Sequence, residues 1–142
     1  MEFDTTKPVP ETQPWSERFW AGTREGKLLI QTCKDCKSRI FYPRKRCPEC
    51  WSGNLDWLQA SGKAKVFTFS TAYAMVEPKF MDELPYTLAY VDLEEGVRMM
   101  TRIVGCAPED VHFDMEVEVT FHDRAGFFLP YFTPAKHRRE LP

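Results

Sequence analysis

The pattern of apolar and polar positions divides the chain into a polar arm, one short helix and a long β-rich remainder. Residues 1–14 are polar and carry Pro8, Pro10 and Pro14, a density that favours an extended arm. From residue 15 to about 25 the spacing turns helical. Trp15, Phe19 and Trp20 fall at i, i+4 and i+5, which gathers three aromatics on one face. Pro14 suits a first helical turn and Glu17 suits the positive end of the helix dipole, while Gly22 and Gly26 weaken the helix and end it. Residues 27–32 read as a strand through Leu28, Leu29 and Ile30. Residues 51–62, with turn formers Ser52, Gly53 and Asn54, read as a linker.

Beyond the linker the period is two. Residues 64–76 are dense in β-branched and aromatic side chains and predict a long strand. Residues 77–84 contain Pro78, have no period and predict a loop. Residues 85–93 and 97–104 predict two strands joined at Glu94, Glu95 and Gly96, a hairpin signal. Ala107–Val111 reads as a helical turn with Pro108 at its start. Residues 115–122 alternate Val117, Val119 and Phe121 with Glu116, Glu118 and Thr120, as a half-buried strand does. Residues 126–132 are apolar, but Pro130 confines them to an edge or closing strand. A charged tail starts at Ala135. Five strands with a helical turn before the fourth suit a Greek-key barrel of the OB type, and a β-sandwich competes. The fold class expected is mainly β: an N-terminal helical segment, a ribbon, and a C-terminal five-stranded barrel. The division expected is 1–26 for arm and helix, 27–60 for the ribbon, and 61–142 for the barrel with its tail.

Composition changes this picture little. Of 142 residues, 43% are apolar, enough to fill an interior. The net charge of -2 leans against a dedicated nucleic-acid binder, which neutralises phosphates with a basic excess. No apolar run reaches the roughly 18 residues that span a bilayer, and the N-terminus has no secretory pattern. A cytoplasmic protein is expected, with its cysteines reduced.

The cysteines carry the strongest chemical signal. Cys33 and Cys36 flank two residues, ten more follow, and Cys47 and Cys50 repeat the spacing. Each pair on a tight turn aims two thiolates at one ion, and two such turns supply the four sulfurs of a closed tetrahedral Zn2+ site. Iron in the same cage is the alternative. Four thiolates around Zn2+ leave a local charge of about -2. Lys34, Lys37, Arg39, Arg44, Lys45 and Arg46 stand ready to offset it. A closed site has no open position for substrate, so the role expected is structural.

The runs "PWSERFWAGTREGKLLIQTCKDCKSRIFYPRKRCPEC", "ASGKAKVFTFS", "LPYTLAYVDLEEGVRMMTRIVG" and "FHDRAGFFLPYFTPA" resemble the DUF35 proteins from Trp15 to Ala135. The resemblance implies a helical segment, a rubredoxin-like zinc ribbon and an OB-fold. It further implies partnership with acyl-CoA enzymes, as in the small subunit of a two-component thiolase such as benzoylsuccinyl-CoA thiolase. Two departures stand out: Lys37 and Trp51 follow the cysteine pairs, where Lys37 replaces the glycine common in the family.

On that reading the chain is a non-catalytic accessory subunit that hetero-oligomerises with a thiolase-like large subunit and supports CoA-thioester binding. Arg44, Lys45 and Arg46, with Lys136, His137, Arg138 and Arg139 of the tail, are candidates for the CoA phosphates. Lys79, Phe80 and Tyr86 lie where OB-folds commonly take ligands. Trp15, Phe19, Trp20, Phe127, Phe128, Tyr131 and Phe132 are candidate docking aromatics. The rival is a single-stranded nucleic-acid module, since ribbons and OB-folds both bind strands through aromatics in a positive groove. Cys106 and His112 invite a nucleophile–base pairing, but a buried strand-end cysteine is the plainer expectation.

Overall fold

The computed structural model describes residues 9–135. A 3-10 turn, Pro14–Ser16, leads into α1 (Glu17–Arg24), so the helix expected from residue 15 becomes α-helical only at Glu17. Ser16 and Gln13 close the entry reciprocally: the Gln13 amide donates to Ser16 Oγ (3.0 Å), and that hydroxyl donates to the Gln13 carbonyl (3.1 Å). Gly22 does not end the helix. It is buried within it, and a Cβ there would come within 2.7 Å of Leu29 Cδ1, so the missing side chain lets α1 lie close on the first strand.

Three strands make the ribbon: β1 (Leu29–Cys33), β2 (Arg39–Ile40) and β3 (Leu55–Gln59), in the order β2-β1-β3, all antiparallel. β3 lies in the stretch expected to be a linker. It pairs with β1 along five residues, Leu29 against Gln59 through Cys33 against Leu55. Gln31 is a buried polar residue at the centre of β1, and its amide is satisfied at both ends: Oε1 accepts from the Arg44 amide (2.7 Å) and Nε2 donates to the Arg44 carbonyl (2.9 Å).

The remaining strands are β4 (Lys63–Ala72), β5 (Tyr86–Leu93), β6 (Arg98–Ile103), β7 (Glu116–Arg124) and β8 (Phe127–Pro134). They close in the order β4-β5-β6-β8-β7, with β7 returning to β4, which decides for the barrel against the sandwich. β8 is the closing strand. It meets β6 in parallel and β7 antiparallel, and Pro130, which has no amide to give, offers its carbonyl to Thr101 Oγ1 (2.8 Å). The segment expected as a loop at 77–84 instead holds a 3-10 helix, Pro78–Glu83, opened by Glu77, whose side chain accepts from the Lys79 amide (2.8 Å). A third 3-10 segment, Pro108–Asp110, precedes β7 as expected.

Strict alternation along β5 and β6 sends Ala89, Val91, Leu93, Met99 and Ile103 inward, where Val66, Val117 and Phe132 join them. Leu28, Ile30 and Ala60 from the ribbon's root belong to the same cluster, so ribbon and barrel share one core. Outside it, Glu95 at the β5–β6 turn ties the two together: its carboxylate accepts from the Ser61 amide (2.8 Å) and its carbonyl accepts from Arg39 Nη1 (3.3 Å). Among the described residues no helix is long and apolar enough to cross a membrane.

Candidate functional site

The two cysteine pairs sit on turns built alike. In the first, the Lys37 amide donates to the Cys33 carbonyl (2.9 Å) and the Cys33 amide to the Ser38 carbonyl (2.9 Å). In the second, the Trp51 amide donates to the Cys47 carbonyl (2.8 Å) and the Cys47 amide to the Ser52 carbonyl (2.9 Å). Lys37 and Trp51 both take the left-handed conformation, with φ of 68° and 64°. The two departures from glycine therefore leave the turn intact. Amides also approach the sulfurs: Cys36 N–H donates to Cys33 Sγ (3.4 Å) and Glu49 N–H to Cys47 Sγ (3.3 Å).

All four sulfurs lie within 4.8 Å of one another, and two pairs, Cys33 with Cys50 and Cys36 with Cys47, are 3.6 Å apart. A tetrahedron with metal–sulfur bonds of about 2.3 Å has edges of about 3.8 Å, so this donor set fits a four-coordinate soft ion. Cys33 and Cys47 are buried and pack with Ile40 and Leu55, while Cys36 and Cys50 face outward. Hydrogen bonds from the Ser38 hydroxyl and backbone pull the Cys36 thiol down to about 6. A backbone hydrogen bond from Ser52 favours the Cys50 thiolate, but burial and its three sulfur neighbours push it up to about 12. Four thiolates this close repel one another, and a divalent cation among them removes the conflict.

A second layer ties the turns together. Asp35, from the first turn, accepts from Ser52 Oγ (2.5 Å) and from Asn54 Nδ2 (3.4 Å) beside the second, and these bonds hold its carboxyl below the usual range. Sequence reasoning missed this bridge, although the shared pattern Cys-x2-Cys-x-Ser was there to be read.

The other candidates separate. Phe132 is fully buried and Phe19 nearly so, in the chain's own core, which corrects their assignment to docking. Trp20 is half-buried edge-on between Phe19 (4.8 Å) and Phe127 (5.4 Å). Phe128 and Tyr131 are half-buried, and Trp15 is exposed. Arg44, Lys45 and Arg46 are exposed on the ribbon loop held by Gln31. Lys79 is exposed, whereas Phe80 and Tyr86 already carry guanidinium groups over their rings, Arg124 at 5.2 Å and Arg102 at 4.0 Å. Both arginines bind one carboxylate, Glu83: Arg102 through Oε1, Arg124 through Oε2 at 3.0 Å. That cluster was not anticipated. The tail residues Lys136, His137, Arg138 and Arg139 lie outside the described residues. Cys106 is half-buried, and burial followed by the Asp110 charge raises its thiol; the His112 ring donates instead to the Asp110 carbonyl (3.1 Å).

Charge is divided unevenly. Residues 27–60 hold seven basic and three acidic side chains, and residues 61–135 hold six basic and twelve acidic. The acidic barrel is a poor surface for a phosphate backbone.

Comparison with known proteins agrees with this architecture. Residues 20–56 match the family described as "ChsH2, rubredoxin-like zinc ribbon domain", and residues 57–122 match "ChsH2, C-terminal OB-fold domain". A DUF35 domain-containing scaffold protein of Methanocaldococcus jannaschii is 40% identical over 107 residues, covering 73% of this chain and 74% of the relative. The chain belongs to the DUF35 family. It is also 32% identical over 88 residues to the benzoylsuccinyl-CoA thiolase subunit BbsA of Thauera aromatica, covering 62% of this chain and 58% of that subunit. A protein of Thermomonospora curvata named "Probable enoyl-CoA hydratase alpha subunit" is 34% identical over 124 residues; this DUF35 chain spans only 38% of its length. Among solved structures, a chain of "Ltp2-ChsH2(DUF35) aldolase" superposes with a TM-score of 0.79 at 31% identity, covering 89% of this chain and 98% of that one.

Proposed function

We propose that this DUF35 chain is the accessory subunit of an acyl-CoA enzyme complex, pairing with a large subunit of thiolase or aldolase type. The observation that carries the reading is its superposition on nearly the whole of a DUF35 chain from an aldolase, at 31% identity. Bond cleavage or formation next to the thioester would use the partner's residues.

Cys33, Cys36, Cys47 and Cys50 would hold one Zn2+. With all four positions taken by sulfur, the ion would supply rigidity and no substrate site. A reducing cytoplasm would keep the thiolates available. The basic ribbon, with Arg44, Lys45 and Arg46 on a loop clamped by Gln31, is the part of this chain suited to the CoA phosphates. Docking would fall to exposed side chains, Trp15 at the helix entry and Tyr73, Met75 and Met81 around the β4–β5 loop, the last three each more than half exposed.

Co-expression with a candidate large subunit of thiolase or aldolase type tests the reading. The two should co-elute, and thiolysis or retro-aldol activity should depend on both. A large subunit that is fully active alone and never co-elutes sinks it.

A further inference from the structure

A cavity of about 470 Å3 opens where α1, the ribbon and the barrel meet. Its walls are apolar: Trp20 from the helix, Phe41 and Tyr42 from the ribbon, Leu88, Met100 and Tyr131 from the barrel. Pockets of 300–1,000 Å3 hold small organic molecules, so size alone admits one. Two hydroxyls in the wall are spent inside the protein, Ser16 on the Gln13 carbonyl and Thr101 on the Pro130 carbonyl.

Arg102 is different. It lines the same cavity, is only 14% exposed, and its guanidinium stands 5.3 Å from the ring of Tyr131, another wall residue. Its Nη1 goes to Glu83, which is shared with Arg124, so two guanidinium groups draw on one carboxylate. Among the described residues no acceptor takes Arg102 Nε or Nη2, although the fork carries five N–H donors. Glu11 also lines the cavity, but it is exposed on the N-terminal arm, where water screens it. The partly buried charge in this wall is therefore positive.

We infer that this cavity binds a small aromatic or alicyclic carboxylate, its ring against Trp20, Tyr42 and Met100 and its anion on Arg102. Planar carboxylates match the guanidinium fork, and a half-buried cation strengthens the pairing. The seven residues that argue for this come from helix, ribbon and barrel, so the site exists only when all three are assembled.

The test uses the full zinc-loaded chain and two fluorescent probes of similar shape. One is the anionic 1-anilinonaphthalene-8-sulfonate and the other the neutral N-phenyl-1-naphthylamine. The anionic probe should bind one site per chain, at least tenfold tighter than the neutral one, and 2-naphthoate should displace it. Arg102→Gln should erase the preference for the anion. Because Arg102 also holds Glu83, Met100→Trp provides a second arm: it fills the cavity from the rim without touching the ion pair and should abolish binding of both probes. Equal affinity for the two probes, unchanged binding to Met100→Trp, or no binding to the wild-type chain would each overturn the proposal. The accessory reading is untouched by any of these, since it concerns a partner absent from the assay.

Discussion

Lys37 and Trp51 carry side chains where the backbone is left-handed, a conformation that costs about 1–2 kcal/mol for a residue with a Cβ. Trp51 is 73% exposed, so its indole regains little from packing within this chain. Lys37→Gly and Trp51→Gly should each raise the stability of the metal-loaded protein by about 1 kcal/mol, after the greater freedom of glycine in the unfolded chain is allowed for. A higher midpoint in thermal denaturation is the expected reading, and a lower one would mean that the side chains contribute contacts the turns need. Cys106 makes the opposite case, a side chain whose chemistry is suppressed. Burial raises its thiol, so its thiolate fraction at pH 8 is smaller than that of an ordinary cysteine. Alkylation of the zinc-loaded protein by iodoacetamide should be slow at that pH and accelerate as the pH rises past 9. Rapid modification at pH 7 would restore Cys106 as a reactive group. At this scale the two cysteine pairs were legible, because each is local in sequence. The Glu83–Arg102–Arg124 cluster was not: its members stand 19 and 41 residues apart, and a lone arginine on a strand looks the same whether it faces water or a partner.

Strands with clean alternation were legible for the same reason that they fold: β5 and β6 each have one face to bury. β3 was hidden because none of its positions is fully buried and two are exposed, and only β1, more than twenty residues earlier, explains its hydrogen bonds. The join between β3 and β4 is equally tight. Gly62 has φ of +89°, a Cβ there would fall 2.7 Å from Val119 Cγ1, and its carbonyl accepts from the Val119 amide (2.8 Å). Gly62→Ala therefore combines a strained backbone with an overlap in a packed site, and should destabilise the protein by about 2–3 kcal/mol in urea denaturation. Asp35 acts between the two cysteine turns. Its folded pKa is lowered, so its contribution is present above the unfolded value near 3.8 and is lost as the pH falls through the folded one. In Asp35→Asn that loss should already have occurred at neutral pH. Zinc should leave this variant faster than the wild type when a chromogenic chelator is added at pH 7; equal rates would remove the Asp35 bridge from the account of the site.

The whole molecule places a basic lobe carrying the four cysteines on an acidic barrel, with one apolar core running through the root of the first into the second. This arrangement determines what the loss of metal should do. Around the sulfurs the ribbon has only the small apolar cluster of Cys33, Ile40, Cys47 and Leu55 among the described residues, too few apolar contacts to keep the cysteine turns folded without the ion. Its root is different: Leu28, Ile30 and Ala60 are buried with Val66, Val91 and Phe132 and should stay packed. Removing the metal, or replacing Cys33 and Cys47 by serine, should therefore unfold the cysteine turns and leave the barrel native. In amide-resolved NMR, signals from roughly residues 33 to 54 should collapse towards random-coil positions, while those of β4 to β8 hold theirs. Assembly with a large subunit should fail in the same sample if the ribbon shapes the contact. A barrel that unfolds together with the ribbon would mean that the shared core depends on the ion. A ribbon that keeps its dispersion without metal would mean that the sulfurs do not organise it, and the structural role assigned to them would fall.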